Sequence, residues 1–105
     1  MNRDFVKVCR LEEVGDGATR LVVVNGTKVL LAREGDAVYG LSPYCTHDGG
    51  ELYAEKVVDG ELECPRHGAR FDIHTGKATR MPAVFGLSTY EVKVENGDVY
   101  VEALD

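Results

Sequence analysis

Two short stretches decide how this chain folds: P-Y-C-T-H-D-G-G at residues 43–50 and C-P-R-H-G-A-R-F-D at residues 64–72. Each stretch pairs one cysteine with one histidine, namely Cys45 with His47 and Cys64 with His67. Glycine and proline surround both pairs, and loops rich in these residues can turn several side chains and backbone N–H groups toward one point. The two pairs therefore predict a metal site formed by two loops.

The spacing of the ligands distinguishes two kinds of metal site. Structural zinc sites with two cysteines and two histidines usually place a C-x₂₋₄-C pair before a histidine pair on a helix. Here each half is mixed, with the spacing C-x-H and then C-x₂-H, and no helical pattern follows. A [2Fe–2S] cluster whose irons have different ligands accounts for the mixed halves, because each loop then supplies one ligand to each iron. A structural zinc module is the alternative, and a colourless purified protein would identify it.

The sequence outside these loops alternates between apolar and polar residues, which is typical of β-strands. The predicted strands are residues 20–24, 28–33, 37–42, 89–94 and 98–102. Asn25-Gly26 and Asn96-Gly97 each separate two of them, and this dipeptide is a strong signal for a two-residue hairpin turn. These segments predict a small antiparallel sandwich or barrel, closed by pairing of the N-terminal and C-terminal strands.

Residues 43–82 differ from the rest because they are rich in turns and poor in apolar periodicity. Only residues 61–63 and 70–73 are typical of strands in this part of the chain. A stretch of about 40 residues of this kind seldom folds around an apolar core alone. We therefore expect a bound metal to hold it together.

The composition excludes several classes of protein. The 105 residues include 18 acidic and 12 basic side chains, and the resulting formal net charge of −6 argues against a nucleic-acid partner. No apolar run approaches the ~20 residues of a membrane span, and residues 1–10 lack the apolar core of a secretory signal. Three cysteines are too few, and odd in number, for a disulfide framework, so we expect the reducing cytoplasm as the location.

The motifs C-T-H-x-G-G and C-P-x-H-G-x-x-F-D resemble those of the Rieske iron–sulfur family, and most of all the Rieske ferredoxins of aromatic-ring-hydroxylating dioxygenases. The resemblance is densest over residues 43–82 and extends more loosely over the whole chain. It implies an all-β Rieske fold in which residues 1–105 form a single domain. Residues 1–42 and 83–105 would form a basal antiparallel β-sandwich or barrel, and residues 43–82 an inserted small cluster-binding β subdomain.

The resemblance also implies the cofactor and its ligands. One [2Fe–2S] cluster of Rieske type would be held by two cysteines on one iron and two histidines on the other. The residues that bind this cofactor, and its metal, would be Cys45, His47, Cys64 and His67, with the histidines on the outer, solvent-facing iron. Because no open metal position is implied, we expect no catalytic residue and no enzymatic activity of the chain alone.

The function that the resemblance implies is electron transport in aromatic-hydrocarbon catabolism. The chain would take single electrons from an NAD(P)H-dependent reductase of the flavoprotein type and pass them to a terminal ring-hydroxylating oxygenase. Both partners would dock transiently near the histidine ligands, and the chain would be a monomer with no nucleic-acid or membrane partner. The alternative is a small Rieske-like subunit of an assimilatory nitrite reductase or of another oxidoreductase complex. Many such subunits lack the ligand residues that are all present here.

This chain differs from the high-potential members of the family at positions that affect the redox potential. Rieske proteins of respiratory complexes form a disulfide through an extra cysteine in each loop, where this chain has Thr46 and Arg66. They also carry a serine and a tyrosine after the second histidine, where this chain has Ala69 and Phe71. Hydroxyl donors favour the reduced cluster, so their loss predicts a midpoint near the low end of the range of roughly −150 to +300 mV.

Three other features have simpler interpretations. Cys9 is expected to be a small buried side chain, and His74 is expected to be a surface histidine because its spacing fits neither half of the motif. Acidic residues dominate positions 48–63 and basic residues dominate positions 64–81. These two charged segments are either ordinary solvated faces or a surface that steers partners toward the cluster.

Overall fold

Strands make up most of the structure, a computed structural model that describes residues 4–46, 49–52, 57–64, 68–81, 83 and 85–102. The strands in this part of the chain are β1 Phe5–Arg10, β2 Thr19–Val24, β3 Thr27–Glu34, β4 Ala37–Leu41, β5 Glu61–Glu63, β6 Arg70–Asp72, β7 Ala78–Arg80, β8 Thr89–Tyr90, β9 Val92–Glu95 and β10 Asp98–Glu102, and a 3₁₀ helix covers Leu11–Glu13. All the pairings between these strands are antiparallel. The predicted all-β fold is confirmed.

Two of the three sheets form the basal part of the molecule. One has the strand order β1-β10-β9 and the other β2-β3-β4-β8. Phe5 is paired with Glu102, so the N-terminal and C-terminal strands close the structure as predicted. Buried side chains from both sheets form the basal core, which consists of Cys9, Val14, Val22, Val24, Val29, Leu31, Val38, Val99 and Val101.

Both Asn-Gly dipeptides form the expected hairpin turns. Asn25 has a φ of 50° and Gly26 a φ of 84°, between β2 and β3. Asn96 has a φ of 52° and Gly97 a φ of 78°, between β9 and β10. Positive φ at both central residues defines the type I′ turn, whose twist matches that of the strands it joins.

Strand β3 is buried on both faces and separates two apolar cores. Its residues 29–32 form the continuous apolar run Val-Leu-Leu-Ala, and all of them are buried. Val29 and Leu31 belong to the basal core, whereas Leu30 and Ala32 face a second core on the other side. An apolar run without alternation is the pattern of a strand covered on both sides.

The second core combines apolar residues from the middle of the chain with residues of the basal strands β3 and β4. Its buried members are Leu30, Ala32, Leu41, Cys45, Leu52, Leu62, Cys64, Ala69, Phe71, Ile73, Ala83 and Leu87. The apolar residues of the middle come singly from loops and three-residue strands, and this placement produces no periodicity along the sequence.

The third sheet, with the order β5-β6-β7, lies within the predicted cluster-binding subdomain. Strand β7 was not predicted, because Ala78-Thr79-Arg80 shows no apolar alternation. The second core draws residues from both sides of the predicted subdomain boundaries, and the division at residues 43 and 82 stays a prediction. No helix in the described part of the chain is long and apolar enough to cross a membrane.

Residues 89–94, predicted as one strand, belong to two sheets. Thr89 pairs with Leu41 of β4, whereas Val94 pairs with Val99 of β10. Glu91 lies at the break and belongs to neither strand, and its carbonyl accepts a 3.0 Å hydrogen bond from the N–H of Glu102. Alternation of apolar side chains continues through this change of partner, so the sequence pattern could not reveal it.

Candidate metal centre

The loop after β4 folds back on Cys45 through two backbone hydrogen bonds. The carbonyl of Cys45 accepts a bond of 2.8 Å from the N–H of Gly49, and the N–H of Cys45 donates a bond of 2.8 Å to the carbonyl of Gly50. Gly49 has a φ of 72°, a backbone conformation that residues with a Cβ rarely adopt. The two hydrogen bonds therefore bring Gly49 and Gly50 back against Cys45.

The loop after β5 repeats the same two hydrogen bonds around Cys64. The carbonyl of Cys64 accepts a bond of 2.9 Å from the N–H of Gly68, and the N–H of Cys64 donates a bond of 2.7 Å to the carbonyl of Ala69. Gly68 has a φ of 74°, close to that of Gly49. The two cysteines are thus held by the same backbone geometry, with the glycine four positions after the cysteine in each loop.

Both cysteines of the motif are fully buried and belong to the second core. Thiolates are the ligands that iron–sulfur clusters use most, and a buried apolar setting restricts access of water to them. The chemistry and the burial of these two residues fit one end of a [2Fe–2S] cluster. All three cysteines of the chain lie in the described residues, and they are buried as thiols without a disulfide.

Two of the four predicted ligands, His47 and His67, lie outside the described residues. Among the residues that the structure describes, no group of three or more histidine, cysteine or acidic side chains is arranged to hold a metal ion. The assignment of Cys45, His47, Cys64 and His67 as ligands therefore stays a prediction, supported on the cysteine side by the matched loops.

Cys9 is 6% exposed and packs in the basal core, as predicted. Burial raises the pKa of its thiol, and the Arg20 charge opposes this shift. A protonated, buried thiol is a weak nucleophile and a poor metal ligand. Cys9 is therefore a packing residue.

The segment after β7 contacts the first cysteine loop and the turn between β6 and β7, which the sequence did not predict. The Thr46 hydroxyl donates a bond of 2.6 Å to the carbonyl of Phe85. Further along, the N–H of Leu87 donates to the carbonyl of Gly76, at 2.7 Å. No periodic pattern in the sequence marks this segment.

His74 is a surface residue, as predicted, but it is held by two carboxylates. Its Nδ1 lies 3.0 Å from Oδ1 of Asp72, and its Nε2 lies 2.9 Å from Oε1 of Glu34. Glu34 ends β3 of the basal part, while Asp72 ends β6 of the small sheet. The imidazole therefore connects the two parts of the molecule.

Replacing His74 with glutamine is expected to lower stability in acid more than in alkali. Hydrogen bonding to Glu34, helped by Asp72, raises the pKa of His74. Its contribution is therefore complete below the unfolded pKa of about 6.5 and is lost as the pH rises through the folded pKa. The backbone N–H of His74 lowers the pKa of Asp72. The contribution of Asp72 to stability is therefore lost only in stronger acid.

Thermal unfolding of the wild-type and His74→Gln proteins between pH 5 and pH 9 measures this effect. The side chain of His74 is 41% exposed, so solvent screening limits the loss near pH 5 to about 0.5 kcal/mol. Lys93→Gln, which breaks a surface ion pair with Glu95, is the control and should show no such trend with pH. A loss for His74→Gln that grows toward pH 9 would contradict the assignment.

Ion pairs join the acidic and basic segments that the sequence sets apart. Arg70 lies 2.9 Å from Glu63 and 3.5 Å from Glu61, across β5 and β6. Glu51, in the acidic segment, lies 3.0 Å from Lys28 of the basal part. The charges of the acidic and the basic segment therefore partly cancel. This weakens the interpretation that either whole segment steers partners toward the cluster.

An all-β fold in which two matched loops each bury a cysteine in one shared core is the arrangement expected of an iron–sulfur protein. Residues 4–91 match the family of Rieske [2Fe-2S] domains. The chain therefore belongs to the Rieske [2Fe–2S] domain family and carries a cluster of that type.

Ferredoxins resemble the chain over nearly its whole length. Ferredoxin CarAc of Metapseudomonas resinovorans is 36% identical over 103 residues, which cover 96% of this chain and 95% of that protein. The solved ferredoxin of carbazole 1,9a-dioxygenase from Nocardioides aromaticivorans IC177 is 32% identical, with a TM-score of 0.88 over 95% of this chain and 98% of that one. A further match, from a complex of reduced oxygenase and oxidized ferredoxin in carbazole 1,9a-dioxygenase, is 31% identical with a TM-score of 0.83, covering 99% of this chain and 100% of that one.

The fold also occurs in a structure related to the alternative hypothesis. A putative NADH-dependent nitrite reductase small subunit from Mycobacterium tuberculosis has a TM-score of 0.84, covers 100% of this chain and 99% of that one, and is 18% identical. An identity this low shows a shared fold and nothing about activity. The ferredoxins match this chain at a higher sequence identity than the nitrite reductase subunit does. The comparison therefore favours the ferredoxin hypothesis over the subunit hypothesis.

The surroundings of the second cysteine loop predict a low midpoint potential. Ala69 and Phe71 are fully buried in the core that holds Cys64, and neither carries a hydroxyl. We expect a midpoint below 0 mV, measured by a redox titration followed by EPR. Ala69→Ser should raise it by on the order of 60 mV, because a hydrogen bond that favours the reduced cluster by about 1.4 kcal/mol corresponds to that shift for one electron.

Ala37→Ser, at an exposed position of β4, is the control and should leave the midpoint unchanged. A wild-type midpoint well above 0 mV would contradict this account, since another donor would then have to replace the missing hydroxyls.

Proposed function

We propose that this chain is the ferredoxin component of a ring-hydroxylating oxygenase system, carrying single electrons from an NAD(P)H-dependent flavoprotein reductase to the terminal oxygenase. The observation that carries the proposal is the match, over almost the full length of both chains, to a ferredoxin that was solved together with its oxygenase. Membership of the Rieske family supplies the redox centre that this role needs. The chain is an electron-transfer component and not itself an enzyme.

The residues of the chain have distinct tasks in this role. When bound, the cluster supplies a one-electron couple between its oxidised and reduced iron. Cys45 and Cys64 would hold it from the buried side, because both are fully buried in the second core. His47 and His67 would hold its outer iron. Thr46 is exposed within the first loop, so a partner can approach this end of the molecule closely.

The partners and the location follow from the same proposal. The reductase and the oxygenase use the cluster-bearing end in turn, and each contact is transient, as is usual for redox pairs with small interfaces. The chain acts as a monomer in the cytoplasm. Its three cysteines are buried and form no disulfide, which supports a reducing location.

Reconstituting electron transfer tests the proposal directly. The purified chain is expected to be coloured and EPR-active after reduction, and to restore product formation when added to a mixture of NADH, a flavoprotein reductase and the terminal oxygenase of carbazole 1,9a-dioxygenase. The Cys64→Ser variant should not restore it. A colourless zinc protein, or a chain that purifies only within a large catalytic complex and transfers no electrons to an oxygenase, would overturn the proposal.

A further inference from the structure

In the segment that follows β7, Ala83 and Leu87 face the second core, whereas Met81 and Phe85 face solvent. Ala83 and Leu87 are 4% and 5% exposed and pack in the core that contains both cysteines of the motif. Met81 and Phe85 are 78% and 75% exposed. A thioether and a phenyl ring therefore lie on the solvent side of a segment whose inward residues are anchored beside the cluster-binding loops.

Three hydrogen bonds tie Phe85 and the two described residues Leu87 and Ser88 to the rest of the molecule. Its carbonyl accepts the 2.6 Å bond from Thr46, the residue next to Cys45. Two residues further on, the N–H of Leu87 bonds the carbonyl of Gly76. The carbonyl of Ser88 then accepts a bond of 2.8 Å from the N–H of Ser42 at the end of β4. The backbone that carries the exposed ring is thus hydrogen-bonded to the first cluster-binding loop.

The exposed ring of Phe85 forgoes the stabilisation that burial would give, and nothing in the fold requires this exposure. Burial of a phenylalanine side chain is worth roughly 1.5–3 kcal/mol, and Phe85 and Met81 forgo most of such a gain. Exposed apolar side chains grouped on one surface are typical of protein interaction sites. A fixed aromatic ring also loses little conformational entropy on binding, and such anchors carry most of the affinity at small interfaces.

Two basic residues lie close to Met81 and Phe85, one along the chain and one through its backbone. Arg80 precedes Met81, and the backbone of Lys77 lies against Gly86, next to Phe85. In the described part of the chain, the side chains of Lys77 and Arg80 make no ion pair or hydrogen bond. The other lysines and arginines there all do, and these are Lys7, Arg10, Arg20, Lys28, Arg33, Arg70 and Lys93. In a chain with a net charge of −6, two cations that make no ion pair within the described residues and lie next to the segment with two exposed apolar side chains favour a partner surface that carries carboxylates.

We propose that Phe85 and Met81 are the apolar anchor by which the terminal oxygenase docks beside the cluster, and that Lys77 and Arg80 pair with carboxylates around an apolar pocket on the oxygenase. This inference rests on the proposed function and names the docking residues for it. A second copy of the chain fits the patch poorly, because a two-fold contact would bring the same cations of both copies together. The oxygenase is chosen because the ferredoxin relative was solved in complex with one.

A single-turnover experiment separates docking from the chemistry of the cluster. The holoprotein is reduced with dithionite, freed of excess reductant and mixed with increasing concentrations of the oxidised terminal oxygenase of carbazole 1,9a-dioxygenase. The dependence of the transfer rate on oxygenase concentration gives a Kd and a limiting rate. Phe85→Ala is expected to raise the Kd about 30-fold and Met81→Ala about 5-fold, with the limiting rate, the midpoint potential and the rate of oxidation by ferricyanide unchanged.

Val23→Ala is the matched control, because Val23 is 60% exposed on β2, in the basal part of the molecule. It should leave the Kd unchanged. Charge reversal by Lys77→Glu should raise the Kd at low salt, and the difference from wild type should shrink as ionic strength increases. For Phe85→Ala the difference from wild type should persist at high salt.

The outcomes distinguish this inference from the proposed function. A wild-type protein that transfers no electron to the oxygenase would overturn the proposed function, and this inference with it. Normal wild-type transfer with an unchanged Kd for Phe85→Ala would overturn this inference alone. So would a Phe85-dependent dimer in sedimentation experiments, or a Phe85→Ala variant that is impaired only in accepting electrons from a flavoprotein reductase.

Discussion

Replacing His67 with alanine is expected to abolish the Rieske signature of the protein, with loss of most of the visible absorption and of the EPR signal after reduction. The outer iron would lose one of its two imidazole ligands, and alanine offers no replacement donor. His67 directly precedes Gly68, whose N–H bonds the carbonyl of Cys64, so the substitution changes the ligand while that hydrogen bond can still form.

His74→Ala is the matched control, since it removes the one histidine of the chain that the motif does not use. Its ring nitrogens already face Asp72 and Glu34, at 3.0 Å and 2.9 Å, and are therefore engaged away from any metal. This variant should keep both the spectrum and the iron content. Bleaching of His74→Ala, or a normal cluster in His67→Ala, would show that the ligand assignment is wrong.

Local sequence signals predicted the basal part of the fold well. Asn25-Gly26 and Asn96-Gly97 each require positive φ at two successive residues, and few dipeptides tolerate this. The turn therefore sets the register of each hairpin without help from the rest of the chain. The sequence pattern failed where the limits of a strand depend on its pairing with strands distant in the chain. Around Glu91 it predicted one strand, whereas the structure has two.

The second core could not be predicted, because its residues are spread over loops. Leu52, Phe71 and Leu87 come from three different parts of the chain and share no period. The sequence pattern indicated a turn-rich region that an apolar core alone would seldom hold together, with a bound metal expected to join it. The continuous apolar run of residues 29–32 was the available signal, since a strand that is apolar on both faces must have something packed on each.

The candidate site was predictable where its chemistry depends on residue type and spacing. Cys45 and Cys64 were identified from their motifs, and the structure places both in the same core. The contact of Thr46 with Phe85 and that of Glu34 with His74 join residues about 40 positions apart. Contacts of this kind depend on how the parts of the fold pack, and no pattern in a single sequence encodes them.

Gly76→Ala is expected to destabilise the protein strongly. Gly76 has a φ of 78°, and a Cβ at this position would lie 2.3 Å from the carbonyl oxygen of Leu87 and 3.0 Å from Cγ2 of Thr89. The left-handed conformation alone costs an alanine roughly 1–2 kcal/mol. The clash with backbone adds to this cost, because the segment that carries Leu87 must move.

Gly26→Ala is the matched control, since Gly26 has a φ of 84° and no atom lies within 4 Å of the position that a Cβ would take there. It should lose only the cost of the left-handed conformation. Gly76→Ala should in addition lose the hydrogen bond from Leu87, worth about 1 kcal/mol, and part of the burial of that side chain, worth about 1–2 kcal/mol. The apparent Tm of the holoprotein should therefore fall by about 10 °C more for Gly76→Ala than for Gly26→Ala.

The same displacement should shorten the lifetime of the cluster, because Leu87 and both cysteines of the motif belong to one core. Loosening the segment at Leu87 opens that core to water and oxidant. We expect Gly76→Ala to bleach several times faster than wild type in air, whereas Gly26→Ala, at a turn of the basal part, should bleach at the wild-type rate. Equal losses of Tm and equal bleaching rates for the two variants would show that the contact between Gly76 and Leu87 does not hold the segment over the cluster site.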